Sequence, residues 1–178
     1  MTNVPSGFRQ APGGGARLRA DIVDVYIVRR VPGMLRAEHQ LQVLQLLRAD
    51  DPLRGTWQPV MGHAEPGEAA DAAARRELHE EVGLRPSDPA LLGLWALEQV
   101  HPFYVSAVDA VVLSPRFVAL VSPGWQPRVE PEHSAARWVS LADASAWFMW
   151  PGQIAACAEI ARLFHADAQS IRAALRLA

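Results

Sequence analysis

The sequence predicts an α/β domain built on a mixed β-sheet, and three of its features carry that prediction. Short runs rich in Val, Ile and Leu alternate with runs rich in Ala, Glu and Leu, as happens where strands and helices share one core. Pro, Gly and Asp fall between the runs and mark turns. No segment repeats another, so the elements belong to one fold rather than an array.

Residues 1–16 contain Pro5, Gly7, Pro12 and Gly13-Gly14-Gly15 and bury too little apolar surface to offset ordering entropy; a flexible arm is expected there, with the domain over 17–178. Segments 21–31 and 41–47 read as two strands that pair across a connection marked by Pro32-Gly33 and Glu38-His39-Gln40. After a polar turn at 49–55, residues 56–61 read as another strand ending at Gly62. Pro66 and Gly67 announce a helix over 68–82, dense in good helix formers and stopped by Gly83. Further strands are expected over 91–100, 105–113 and 117–121, with a short one at 137–139. Helical composition returns at 142–148 and 153–177, with a break near Trp150-Pro151-Gly152.

With 178 residues, 50% of them hydrophobic, the chain can bury one full core. All 17 basic residues are arginine and 19 acidic residues outnumber them, so no surplus of positive charge is available to hold a nucleic-acid backbone or an anionic membrane. Cys157 is alone in an apolar run, which rules out an intrachain disulfide and reads as a buried structural thiol suited to a reducing cytoplasm. No stretch resembles a secretory leader or a bilayer span, so a cytoplasmic protein without membrane attachment is expected.

The helix over 68–82 holds the chemistry. At roughly 100° per residue, Ala70, Ala74, Leu78 and Val82 form one apolar stripe facing the sheet. Glu77 and Glu81 fall beside that stripe and Glu80 a little further round, whereas a merely solvated acidic face would lie opposite, where Arg75 and His79 project. Glu77 and Glu81 are i,i+4 neighbours of like charge, a mutual repulsion of about 0.2–0.5 kcal/mol even in water. A hard divalent cation removes it, because Mg²⁺ takes oxygen ligands alongside waters and phosphates. The competing reading is a charged helix whose acids pair with Arg75 and Arg76.

Residues 62–84 read GHAEPGEAADAAARRELHEEVGL, which resembles the Nudix box at all nine fixed positions: Gly62, Glu68, Arg76, Glu77, Leu78, Glu80, Glu81, Gly83 and Leu84. The resemblance implies a loop-helix-loop on an α/β/α sandwich, with Glu77, Glu80 and Glu81 as ligands of Mg²⁺, or of Mn²⁺ in its place, and the carbonyl of Gly62 as a further ligand. It implies that Arg76 orients the glutamates, that Glu68 braces the loop, and that water attacks a phosphorus of X–O–P–O–P, with the base a glutamate inside or outside the box. The flanks narrow the likeness. Leu47 to Pro52, followed by Trp57-Gln58-Pro59-Val60-Met61-Gly62, and Glu132-His133 ahead of Trp138, resemble the branch that hydrolyses dihydroneopterin triphosphate and deoxyadenosine triphosphate, where that glutamate belongs to the metal site. The likeness runs from about residue 21 to 164 and is weakest over 101–115, which leaves the substrate open.

Outside the box, Glu132 reads as a metal ligand, as the base for the attacking water, or as a solvated loop acid. Arg48 either reaches a substrate phosphate or caps the acidic turn at Asp50-Asp51. Trp57 and Gln58 are both candidate substrate-binding residues, but neighbours on a strand point to opposite faces, so only one can share the box's side. The same alternation separates Arg29 from Arg30. His63 reads as an exposed loop residue, His101, Phe103 and Tyr104 as a base pocket or ordinary core, and Trp147 and Trp150 as packing around a helix break.

These readings predict a small nucleotide-like substrate, with a homodimer through an exposed sheet edge. A Nudix-fold binding module without turnover, and a hydrolase of dinucleoside polyphosphates or RNA ends, are the alternatives. The first is disfavoured by the intact box and RNA by the lack of a basic surplus.

Overall fold

The computed structural model describes residues 14–33 and 40–177. The expected arm therefore lies outside the described residues, apart from the exposed approach at 14–16, as does most of the connection through Glu38 and His39.

The central strand is β2 (Ile22–Arg30), which follows β1 (Arg17–Arg19). On one side β2 pairs antiparallel with β3 (Leu41–Arg48), on the other parallel with Arg116–Val121, here β9. Beyond β3 lies His133–Ser140, β10, and beyond β9 lies Leu91–Ala96, β6, both antiparallel to their neighbours. Because β2 is covered on both faces, its apolar run is nearly continuous rather than alternating. Val23, Val25 and Ile27 pack under helix α1 (Ala70–Val82), with Leu44, Leu46, Leu78 and Val82. Tyr26 and Val28 point the other way, to α2 (Leu141–Ala144) and α3 (Pro151–Leu163), with Val43, Ala144 and Ile160. The architecture is the expected α/β/α sandwich on a mixed sheet of seven strands. A short helix α4 (Gln169–Ala174) follows α3.

Several expected elements change in ways that physical chemistry explains. The strand expected over 56–61 is two, β4 (Trp57–Gln58) paired with β3 and β5 (Val60–His63) paired with β2. Pro59 stands between them; lacking an N–H and fixed in φ, it ends one ladder and lets the chain cross to the next. The strand expected over 105–113 is a hairpin of β7 (Phe103–Val105) and β8 (Ala110–Val112), turned through Asp109 at φ 45°. With β1 it forms a separate sheet of three strands. The strand expected over 91–100 stops at Ala96, and that expected over 137–139 extends to eight residues because β3 supplies a partner along its length. The helix expected over 142–148 shrinks to α2, and that over 153–177 divides into α3 and α4, with Pro151 opening α3, where its missing N–H costs nothing.

Candidate active site

Helix α1 begins at Ala70, so Glu68 belongs to the preceding loop, where its carboxylate accepts from the Glu65 N–H at 2.9 Å. The helix ends at Gly83, whose φ of 74° is cheap only for glycine and whose N–H returns to the carbonyl of His79. Between these ends Glu77 and Glu81 are 8% and 5% exposed, while the Glu80 side chain is 55% exposed, the order along the helix wheel that the sequence implies.

Arg76 gathers the box. Its Nε donates to Glu68 Oε1 at 3.1 Å and its Nη1 to Glu77 Oε1 at 2.7 Å and Glu80 Oε2 at 2.9 Å. Its Nη2 donates to the His63 carbonyl at 2.8 Å and to Glu68 Oε2 at 2.9 Å. Bonding to Glu68 first, and to Glu77 and Glu80 after it, holds the guanidinium well above its ordinary pKa. One fork thus joins the loop, the end of β5 and two helix glutamates, a geometry that a point-charged ammonium would not reproduce.

Gly62 in β5 lies directly against this cluster: a Cβ there would collide with the carboxylate of Glu77. Glu81 Oε1 accepts the N–H of Met61 at 3.2 Å, and Glu81 Oε2, buried, has no hydrogen-bond partner among the described residues. Burial pushes the Glu81 carboxyl up to about 9 and raises that of Glu77, and in both the nearby Glu132 charge adds to the effect. Burial of like charges on this scale is costly unless something compensates it.

Glu132 arrives on a loop laid across the end of α1. Arg128 N donates to the Val82 carbonyl at 3.0 Å and Glu130 N to that of Glu81 at 3.4 Å, satisfying carbonyls the helix leaves unpaired. The loop then enters β10, where Trp138 packs into the α1-side core. The Glu132 carboxylate accepts from Arg48 Nη1 at 2.6 Å. Gln58 is the member of its dipeptide on the box's side: it pairs with Leu46, is buried, and its Nε2 lies 3.0 Å from His133 Nε2. Trp57, paired with Leu47, points to the opposite face, where its backbone bridges to Phe148. Arg137, held by Gln45 at 2.9 Å, lies 3.8 Å over the Trp57 ring and 4.5 Å over that of Trp147. His133, quoted with Glu132 in the sequence but given no site role there, lies 3.8 Å from Glu81.

The remaining candidates find partners elsewhere. The His63 ring is exposed, 3.4 Å from Asp21. Arg29 bonds Gln42 and lies over Trp138, and Arg30 bonds the Phe164 carbonyl. Phe103 stacks on Trp150, while Tyr104 points outward to Asp109. Cys157 is buried, its thiol pushed up to about 12.

Among the described residues no three His, Cys, Asp or Glu side chains converge into a set that would enclose a metal unaided. The donors do fit an open site for a hard cation: they are all oxygens, two of the carboxylates are buried beside each other, and Glu81 Oε2 lacks a donor. Mg²⁺ is commonly held by one or two carboxylates, with water and substrate phosphate completing the shell.

This fold and this arginine-centred set of glutamates define a phosphoanhydride hydrolase of the Nudix class. The model of the NUDIX domain matches residues 27–158, and the chain belongs to that family. Its fold is similar to that of a C. elegans Ap4A hydrolase, at 19% identity and a TM-score of 0.65, covering 82% of this chain and 97% of that one. It is similar to an E. coli dihydroneopterin triphosphate pyrophosphohydrolase, at 25% identity and a TM-score of 0.60, covering 76% and 91%. The NUDIX domain of Shewanella oneidensis NrtR, solved with ADP ribose, matches at 17% identity and a TM-score of 0.62, covering 92% and 95%. A comparison with curated proteins finds no match. Among the described residues no helix is long and apolar enough to cross a membrane.

Proposed function

We propose that the chain is a divalent-metal-dependent pyrophosphohydrolase that cleaves a phosphoanhydride of a nucleoside triphosphate, or of a related nucleoside or pterin phosphate. The observation that carries this is the Arg76 fork, which gathers Glu68, Glu77 and Glu80, with Glu77 against Gly62 and the buried Glu81 on the same helix. In this reading Glu77, Glu80 and Glu81, with the Gly62 carbonyl, hold Mg²⁺, or Mn²⁺ in its place. The cation supplies charge stabilisation to the phosphoryl oxygens and the leaving group. Arg76 keeps the glutamates in register.

Glu132, exposed and tied by Arg48, takes the proton of the attacking water. The new bond joins the water oxygen to phosphorus, and the bridging P–O bond breaks, so that the leaving phosphate or pyrophosphate carries away the electron pair. Arg48, whose Nη1 bonds Glu132 at the edge of the cluster, binds a substrate phosphate.

Placement in the dihydroneopterin triphosphate and dATP branch is supported by the Trp57-Gln58 lead into the box, by Glu132-His133 ahead of Trp138, and by the 25% identity to the E. coli enzyme. The test is release of phosphate or pyrophosphate from a panel of dATP, dihydroneopterin triphosphate, Ap4A, ADP-ribose and 5′-triphosphorylated RNA with Mg²⁺. Preference for the first two supports the branch, preference for Ap4A or RNA overturns it, and silence across the panel overturns the hydrolase reading.

A further inference from the structure

His133 follows Glu132 in the chain but turns inward, and its side chain is fully buried. The cause is a register irregularity in β10 between His133 and Ala135, which sets His133 opposite Arg48 while Ala136 pairs with Leu46. With unbroken alternation, residues 134, 136 and 138 would share the α1 face and position 133 would point to the opposite one. Such irregularities re-aim single side chains. Here the re-aimed imidazole has Nε2 at 3.0 Å from Gln58 Nε2 and 3.8 Å from Glu81 Oε2. Gln58 is itself buried, on the two-residue β4 just before β5, which supplies the Met61 N–H to the other oxygen of Glu81.

We propose that His133 is a positioning residue for Glu81: clamped by Gln58, its ring closes the inner side of the Glu81 carboxylate and fixes the direction in which that carboxylate meets the divalent cation. This rests on the reading of Glu81 as a cation-holding residue. The Met61 N–H holds one oxygen of Glu81, and the imidazole stands 3.8 Å from the other. The same Gln58–His133 contact ties the strand entering the box to the residue beside Glu132. Groups that orient metal-holding side chains are worth about 10- to 100-fold in metal affinity.

The experiment measures Mn²⁺ binding to the full chain, without substrate, by calorimetry for the wild type, His133→Ala, Glu81→Gln and the double variant. We expect His133→Ala to weaken Mn²⁺ by about 10- to 100-fold, and to add nothing when combined with Glu81→Gln. Wild-type affinity in Glu81→Gln would reject the reading of Glu81 itself. Weakened binding in Glu81→Gln with wild-type affinity in His133→Ala would overturn the role of His133 alone. An equal loss from His133→Ala in both backgrounds would overturn it too, because the residue would then act otherwise than through Glu81. Should His133→Ala fail to fold by circular dichroism, Gln58→Ala replaces it with the same expectation, and unchanged affinity there overturns the proposal.

Discussion

The carboxylate of Glu77 occupies the space that a Cβ atom at Gly62 would need. A side chain at 62 must therefore displace the carboxylate or push β5 away from α1. Gly62→Ala is expected to lower kcat on the order of 10²-fold, the scale of a small misplacement at a reacting centre. It should cost about 1–3 kcal/mol of stability through overpacking. Steady-state kinetics and denaturant unfolding measure both, and a normal kcat would show that Glu77 need not stay where it is.

Arg76 should not be replaceable by lysine. An ammonium keeps the charge but cannot bond Glu68, Glu77, Glu80 and the His63 carbonyl together. Arg76→Lys is expected to lose about 1–3 kcal/mol of stability, because Glu77 is left buried with fewer partners. Mg²⁺ titration of its activity should require more metal than the wild type does. Wild-type stability and metal dependence together would reduce the fork to an incidental contact.

Burial raises the carboxyl of Glu81 from the ordinary 4.5 to about 9 and moves that of Glu77 in the same direction. Between those values the metal-free folded state holds a proton that the unfolded chain has released, so stability falls as pH rises through that window. Cation binding must expel the proton, so Mg²⁺ should restore stability most at the alkaline end, and activity should rise with pH. Calorimetric melting between pH 5 and 9, with and without Mg²⁺, measures this. A metal-free melting temperature that climbs across the window in wild type but not in Glu81→Gln would reverse the assignment.

Glu132→Gln separates the two roles open to that residue. As the base, it should lower kcat by about 10²- to 10⁴-fold with little change in KM, and added Mg²⁺ should not help. Recovery at high Mg²⁺ would make it a ligand instead, and unchanged kcat would return it to a solvated loop acid and leave Glu80 or Glu77 as the base.

The box helix was legible because its spacing is local: the apolar stripe and the two buried glutamates follow from one wheel, and Gly83 closes it. Features that depend on distant partners were not. Alternation shows that only one of Trp57 and Gln58 faces the box, but which one follows from pairing with Leu46 and Leu47 of β3. The length of β10 is hidden because Ser134, Ala135 and Ala136 are weak strand formers carried by β3. The apolar run over 105–113 reads as one strand, and only the turn through Asp109 makes it a hairpin. His133 was read only as part of the Glu132-His133 pair, because its inward aim depends on a register irregularity that no local pattern announces.

The central claim is that water attacks phosphorus at a cation held by the box glutamates. It is tested most directly by running the reaction in ¹⁸O-labelled water, with the best substrate of the panel, and weighing the products by mass spectrometry. The account predicts label on a phosphorus-bearing product in the presence of Mg²⁺, no turnover in excess EDTA, and a loss of turnover by orders of magnitude in folded Glu77→Gln. Undiminished turnover in EDTA, label on a product without phosphorus, or full activity in Glu77→Gln would contradict it.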